Sequence, residues 1–143
     1  MLARVIGSSV ALALAVHGVA WACLCAPAGV GDAYDDADQV VHGRVVSSRA
    51  GLGCGGGTTG VRLEVLETWK GGVEPGDTVR IDVGGANTSC QMELERGEEW
   101  LLFVRDGSIG MCGGNRRIVD GDTAVFDVLD AYVDGTDSTV GAE

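Results

Sequence analysis

Arg96-Gly97-Glu98-Glu99-Trp100-Leu101-Leu102-Phe103-Val104 is the stretch from which the fold is read. Arg96-Gly97-Glu98 has turn chemistry. The apolar run Trp100–Val104 is the pattern of a central strand covered on both faces. Working backwards, Val79, Ile81 and Val83 alternate with Arg80 and Asp82, a strand with one buried face. Glu74-Pro75-Gly76-Asp77 before it puts Pro and Gly in the central positions of a type II turn. Val61, Leu63, Val65 and Trp69 share one side of another strand, with Arg62, Glu64 and Lys70 opposite. Glu67 falls on the apolar side, so the strand twists or ends its burial there. Val40 to Ser47 reads as a further strand in which Gly43 marks a bend or bulge. Ile118–Val119 reads as a fifth. Trp100, Leu102 and Val104 are expected to share an interior with Val65 and Val79. Short strands separated by turns predict a mainly β fold, a five-stranded barrel of the OB type with short flanking helices. A sandwich is the alternative.

The helices are read from spacing. Val30, Ala33, Tyr34 and Ala37 follow the i, i+3, i+4, i+7 pattern. Val125, Val128, Leu129 and Tyr132 repeat it after Asp122-Thr123, a candidate cap, although a hairpin through Asp120-Gly121 fits nearly as well. Residues 50–60, with Gly51, Gly53, Gly55, Gly56, Gly57 and Gly60 around Cys54, predict a hairpin loop. Residues 134–143 read as a flexible acidic tail.

The N-terminus carries a different signal. Arg4 precedes an apolar run from Val5 to about Val16, too short for a membrane span, and Ala20-Trp21-Ala22 offers small residues at the positions signal peptidase prefers. Residues 1–22 are therefore expected to be a signal peptide. Residues 23–133 would then be one domain and 134–143 the tail. All five cysteines (23, 25, 54, 90 and 112) lie beyond the cut, in a compartment where disulfides persist. Four of them make two bridges and one is left over. Beyond residue 22 there are 9 Lys/Arg against 21 Asp/Glu, a balance that argues against a nucleic-acid binder and against electrostatic docking on an anionic membrane.

Taken together, Cys23-Leu24-Cys25, Ala37-Asp38-Gln39-Val40-Val41-His42-Gly43-Arg44-Val45, Val65…Thr68-Trp69-Lys70-Gly71, Thr88-Ser89-Cys90, Gly97…Trp100-Leu101-Leu102-Phe103 and Met111-Cys112 resemble the netrin-like domain of the tissue inhibitors of metalloproteinases, in the short form found in bacteria. The resemblance spans roughly residues 23–112. It implies an OB barrel. It implies disulfides Cys23–Cys90 and Cys25–Cys112, with Cys54 as a free thiol. It implies that the Cys23 amine and carbonyl sit on the catalytic zinc of a target protease, that Leu24 enters its specificity pocket, and that Thr88 and Ser89 flank the contact. The animal inhibitors have a further cysteine before the first strand and a second domain, and this chain has neither.

The chemistry of such a terminus stands without the resemblance. A cysteine with a free α-amine offers nitrogen and carbonyl oxygen as a five-membered chelate. A catalytic zinc has three protein ligands and an open position for water. Replacing that water removes the nucleophile. An α-amine titrates near ~8, so it is deprotonated readily when a metal competes for it. The bland alternative is that Cys23 and Cys25 only staple a small secreted barrel. A sharper one is a lipid on the Cys23 sulfur, which would anchor the chain at the cell envelope, although Ala20 and Trp21 suit lipoprotein processing poorly.

Enzymatic chemistry finds little support. His42 is the only histidine beyond residue 22, which leaves no Ser-His-Asp triad and no His-x-x-x-His zinc pair, and its strand position suits a packed histidine. Asp134, Asp137 and Glu143 read as solvating charges rather than a calcium site. The sequence thus predicts a secreted, non-enzymatic inhibitor of a zinc metalloendopeptidase with no cofactor or metal of its own. A non-inhibitory extracellular or lipid-anchored binding module is the second reading.

Overall fold

The structure is a computed structural model that describes residues 23–26, 29–52, 56–86, 88 and 90–135. The readings of residues 1–22 as a signal peptide, of Cys54 as a free thiol, of Ser89 as a contact residue and of 136–143 as part of a tail lie outside these residues. In chain order the elements are α1 Val30–Asp36, β1 Gln39–Ala50, β2 Thr58–Lys70, β3 Thr78–Val83, β4 Glu99–Val104, β5 Ser108–Ile109, β6 Arg116–Ile118 and α2 Ala124–Val133. The strands form one sheet in the order β5-β3-β2-β1-β4-β6, curled into a half-barrel. Every pairing is antiparallel except β3 with β5.

Six strands are found among the described residues where five are expected. The extra one is β5. Arg105 and Ser108 bridge across a tight turn, with Asp106 and Gly107 at φ 49° and 74°. The turn delivers Ile109 to the side of Val83 on β3. Two residues carry no periodicity, so this strand leaves no alternating pattern in the sequence. The strand expected at Ile118–Val119 is β6, which ends at Ile118.

The sheet separates two apolar clusters. On its inner face lie Val41, Val45, Val61, Leu63, Val65, Ile81, Val83, Leu102, Val104 and Ile109, capped by Met92 and Leu94 from the connection before β4. Trp100 and Val79 are half-buried against this cluster, which bears out the expected interior. On the outer face Val40, Leu101 and Phe103 meet Ala33 and Ala37 from the α1 region and Val125 and Leu129 from α2. β4 therefore buries both faces, as its unbroken apolar run requires. Each fully buried leucine or valine of either cluster contributes about 1.5–3 kcal/mol relative to exposure.

Trp69 belongs to the outer cluster, not to the side of Val61, Leu63 and Val65 where simple alternation puts it. The cause is a bulge. His42 pairs with Glu67 and Gly43 with Val65, which leaves Leu66 as an extra residue in β2 and reverses the faces beyond it. Trp69 then stacks on Phe126 at 5.1 Å and donates from Nε1 to Asp130 Oδ1 at 2.7 Å, fastening α2 to the sheet. At Gly43 the strands approach so closely that a Cβ would lie 2.6 Å from the Glu64 carbonyl oxygen. The 122–133 region resolves as helix because Val125 and Leu129 bury against the sheet. Thr123 is its N-cap, yet its side chain makes no capping bond.

Candidate functional site: the cysteine-pinned segment at residues 23–26

Cys23-Leu24-Cys25-Ala26 has no regular structure. Two disulfides position it. Cys23 is bonded to Cys90 and Cys25 to Cys112, each with Cα atoms 5.1 Å apart. The sulfurs of Cys23, Cys25 and Cys112 lie within 4.8 Å of one another, so the two bridges form one compact knot. Bridges from residues two apart to two different loops fix both sides of Leu24. Its side chain is 89% exposed, and Met111, beside Cys112, is 45% exposed. Two apolar side chains are thus held in water beside a covalent knot.

The two receiving loops are braced by hydrogen bonds. After β3 the chain turns through Gly84–Ala86. Gly85 has φ 82°, and a Cβ there would meet the Cys90 carbonyl oxygen at 2.5 Å. Only glycine suits both the dihedral and the approach. The exposed Thr88 donates from Oγ1 to the Gly85 carbonyl at 2.6 Å, and the Cys90 N–H donates to Thr88 Oγ1 at 3.1 Å. Thr88 thereby sits in the loop that carries Cys90 and shapes it. Gln91 Oε1 accepts from the Gly57 N–H at 3.0 Å, joining this loop to the hairpin before β2.

Cys112 lies in a turn of its own. Asn115 anchors it: Nδ2 donates to the Gly110 carbonyl at 2.8 Å, while Oδ1 accepts from the Phe103 N–H at 2.8 Å. Gln91 and Asn115 are braces that sequence reading misses. A single amide side chain in a glycine-rich stretch has no spacing to mark it. Of the expected site residues, Cys23, Leu24, Cys25, Cys90 and Cys112 come together, with Thr88 in the adjoining loop.

His42 stands apart from this end. It is buried, its Nε2 hydrogen-bonds Glu99 Oε2 at 3.0 Å, and its ring stacks on Phe126 at 4.7 Å. Glu99 also accepts from Arg44 Nη2 at 2.7 Å. The Arg44 hydrogen bond holds the Glu99 carboxyl below the usual carboxylate range, with His42 adding to the effect against partial desolvation. These bonds tie β1 to β4. On the helix side, Tyr132 donates to Asp35 Oδ2 at 2.7 Å, and that carboxylate pushes the phenol upward.

No helix among the described residues is long and apolar enough to cross a membrane. No protein-family model and no curated protein matches the chain.

Proposed function

We propose that the chain is a secreted inhibitor of a zinc metalloendopeptidase, of the netrin-like type, acting through a mature N-terminus at Cys23. The observation that carries this reading is the 89% exposure of Leu24 between two disulfide-bonded cysteines. A flexible end displaying a leucine would lose conformational entropy on docking. An end fixed on both sides has already lost it. Once residues 1–22 are removed, the Cys23 amine and carbonyl chelate the target's zinc and displace its water, and Leu24 fills the apolar pocket beside it. Thr88 and Ser89 lie against the rim of the target's cleft. The barrel is read as the OB type, a partly open five-stranded barrel. The curled sheet, with β4 turning directly into β5 and β5 lying on β3, supports that reading.

Secretion without a lipid anchor is supported by the Cys23–Cys90 bond, because a sulfur bonded to Cys90 is not free to carry a thioether-linked diacylglycerol. The test is titration of protein beginning at Cys23 against a panel of secreted zinc endopeptidases. Inhibition of at least one is expected. Acetylating the amine should abolish it. Leu24→Gly should weaken it by about 1.5–3 kcal/mol, the apolar burial removed. Inhibition of none would leave a non-inhibitory extracellular binding module.

A further inference from the structure

The outer face of the β1-β2-β3 ribbon carries a second feature. Strand register places Ser47, Arg62 and Arg80 in one row across the three strands, and Arg49, Gly60 and Asp82 in the next. These residues line an open groove of about 380 Å³, together with Ser48, Val61 and Ile81. Three of the nine cationic side chains beyond residue 22 therefore meet on one patch of a strongly acidic protein.

The arrangement is costly to the free protein. Arg62 and Arg80 are directly opposite across β2 and β3, and like charges so placed repel. Among the described residues neither has a carboxylate partner. Glu64 lies on the same outer face two residues from Arg62, yet forms no ion pair with either. Elsewhere on the sheet the arginines are used differently: Arg44 bonds Glu99, and Arg117 lies 3.1 Å from Glu98. The third arginine is positioned rather than free. Arg49 Nε donates to Thr59 Oγ1 at 3.2 Å, and its Nη2 lies 3.8 Å from Asp82. Gly60 gives it room, since a Cβ there would come within 2.8 Å of that Nη2.

We infer that this groove binds a tetrahedral oxyanion, a phosphate or sulfate group, through the forks of Arg62 and Arg80, with Arg49 at its edge. Guanidinium pairs present planar donor forks that suit such groups, and a bound dianion turns the Arg62–Arg80 repulsion into a shared attraction. The Ser47 hydroxyl, in the row of Arg62 and Arg80, adds a neutral donor. Asp82, held by Arg49, is the one acidic group lining the groove. The group is carried either as the free ion or on a small ester. The site uses no residue of the N-terminal segment, so its failure would leave the inhibitory reading untouched.

The test is titration of the disulfide-intact protein with inorganic phosphate, sulfate and glucose 6-phosphate at constant ionic strength. Arginine side-chain NMR and thermal unfolding provide the readouts. The expected result is saturable binding that moves the Nε–H signals of Arg62 and Arg80 and raises Tm. Tighter binding of glucose 6-phosphate than of phosphate would assign an ester, and the reverse the free ion. The Arg62→Gln/Arg80→Gln double variant should bind at least about tenfold more weakly, while its Tm without ligand equals or exceeds that of the wild type. Arg62→Lys, which keeps the charge and loses the fork, should bind several-fold more weakly. Absence of saturation, equal binding by the double variant, or equal binding of acetate would overturn the proposal.

Discussion

The inner face of the half-barrel and the cysteine-pinned end are built by opposite means. The side chains of Leu63, Leu102 and Val65 are ordered by burial, at 0–1% exposure. Leu24 is almost wholly exposed and is held through its neighbours by covalent bonds. A side chain left in water cannot use its own burial for order. It borrows order from the loops at Cys90 and Cys112, which are braced to the barrel by Gln91 and Asn115. The comparison teaches that stability and display are assigned to different residues, so each can be broken separately.

The largest effect is expected from the bridges. They link residues 67 and 87 apart in sequence, and in the loop-entropy picture each stabilises the fold by about 4 kcal/mol. Cys25→Ser with Cys112→Ser should lower the urea-derived stability by that order. The inner cluster should still report native tryptophan fluorescence once folded. Next comes the interior. Leu102→Ala removes a fully buried side chain and should cost about 2–5 kcal/mol, whereas a change below ~0.5 kcal/mol would place Leu102 at the surface.

A smaller effect concerns pH. Glu99 gives up its proton more readily when folded, so its bonds to Arg44 and His42 stabilise the protein above the usual glutamate pKa. That contribution is lost as pH falls below that value and through the lowered folded one. Glu99→Gln should flatten this part of the stability–pH profile and cost less than about 1 kcal/mol at neutral pH. An unchanged profile would mean that the pairing does not persist in solution. The smallest stability effect belongs to Leu24→Gly, within ~0.5 kcal/mol of wild type by thermal unfolding, since the side chain is already in water.

The difference between the regions also governs what the sequence reveals. Alternation at Val79, Ile81 and Val83 and the apolar run of β4 are direct consequences of burial, so those strands are visible in the chain. The bulge at Leu66 is not, because alternation does not show where an extra residue is absorbed, and Trp69 changes face as a result. β5 is too short to have a pattern, and its pairing with β3 depends on a turn whose partner is distant in sequence. Helix is only narrowly ahead of hairpin for 122–133 until the sheet supplies a face for Val125 and Leu129. At the pinned segment the cysteines are visible in the sequence, and their pairing is what the family resemblance implies. Gly85, Gln91 and Asn115, which shape the receiving loops, act through single hydrogen bonds or one close approach and have no such mark.

Zinc chelation by the Cys23 amine is tested by two proteins that differ by one residue: the chain beginning at Cys23, and the same chain with one alanine added before it. The added residue converts the amine into an amide, a poor zinc ligand, and pushes bulk toward the metal, while both disulfides and the barrel are untouched. Their inhibition constants are compared on a zinc endopeptidase that the first protein inhibits. Chelation by the amine requires nearly complete loss of inhibition in the extended protein, with unchanged thermal stability. Equal inhibition by the two would contradict it.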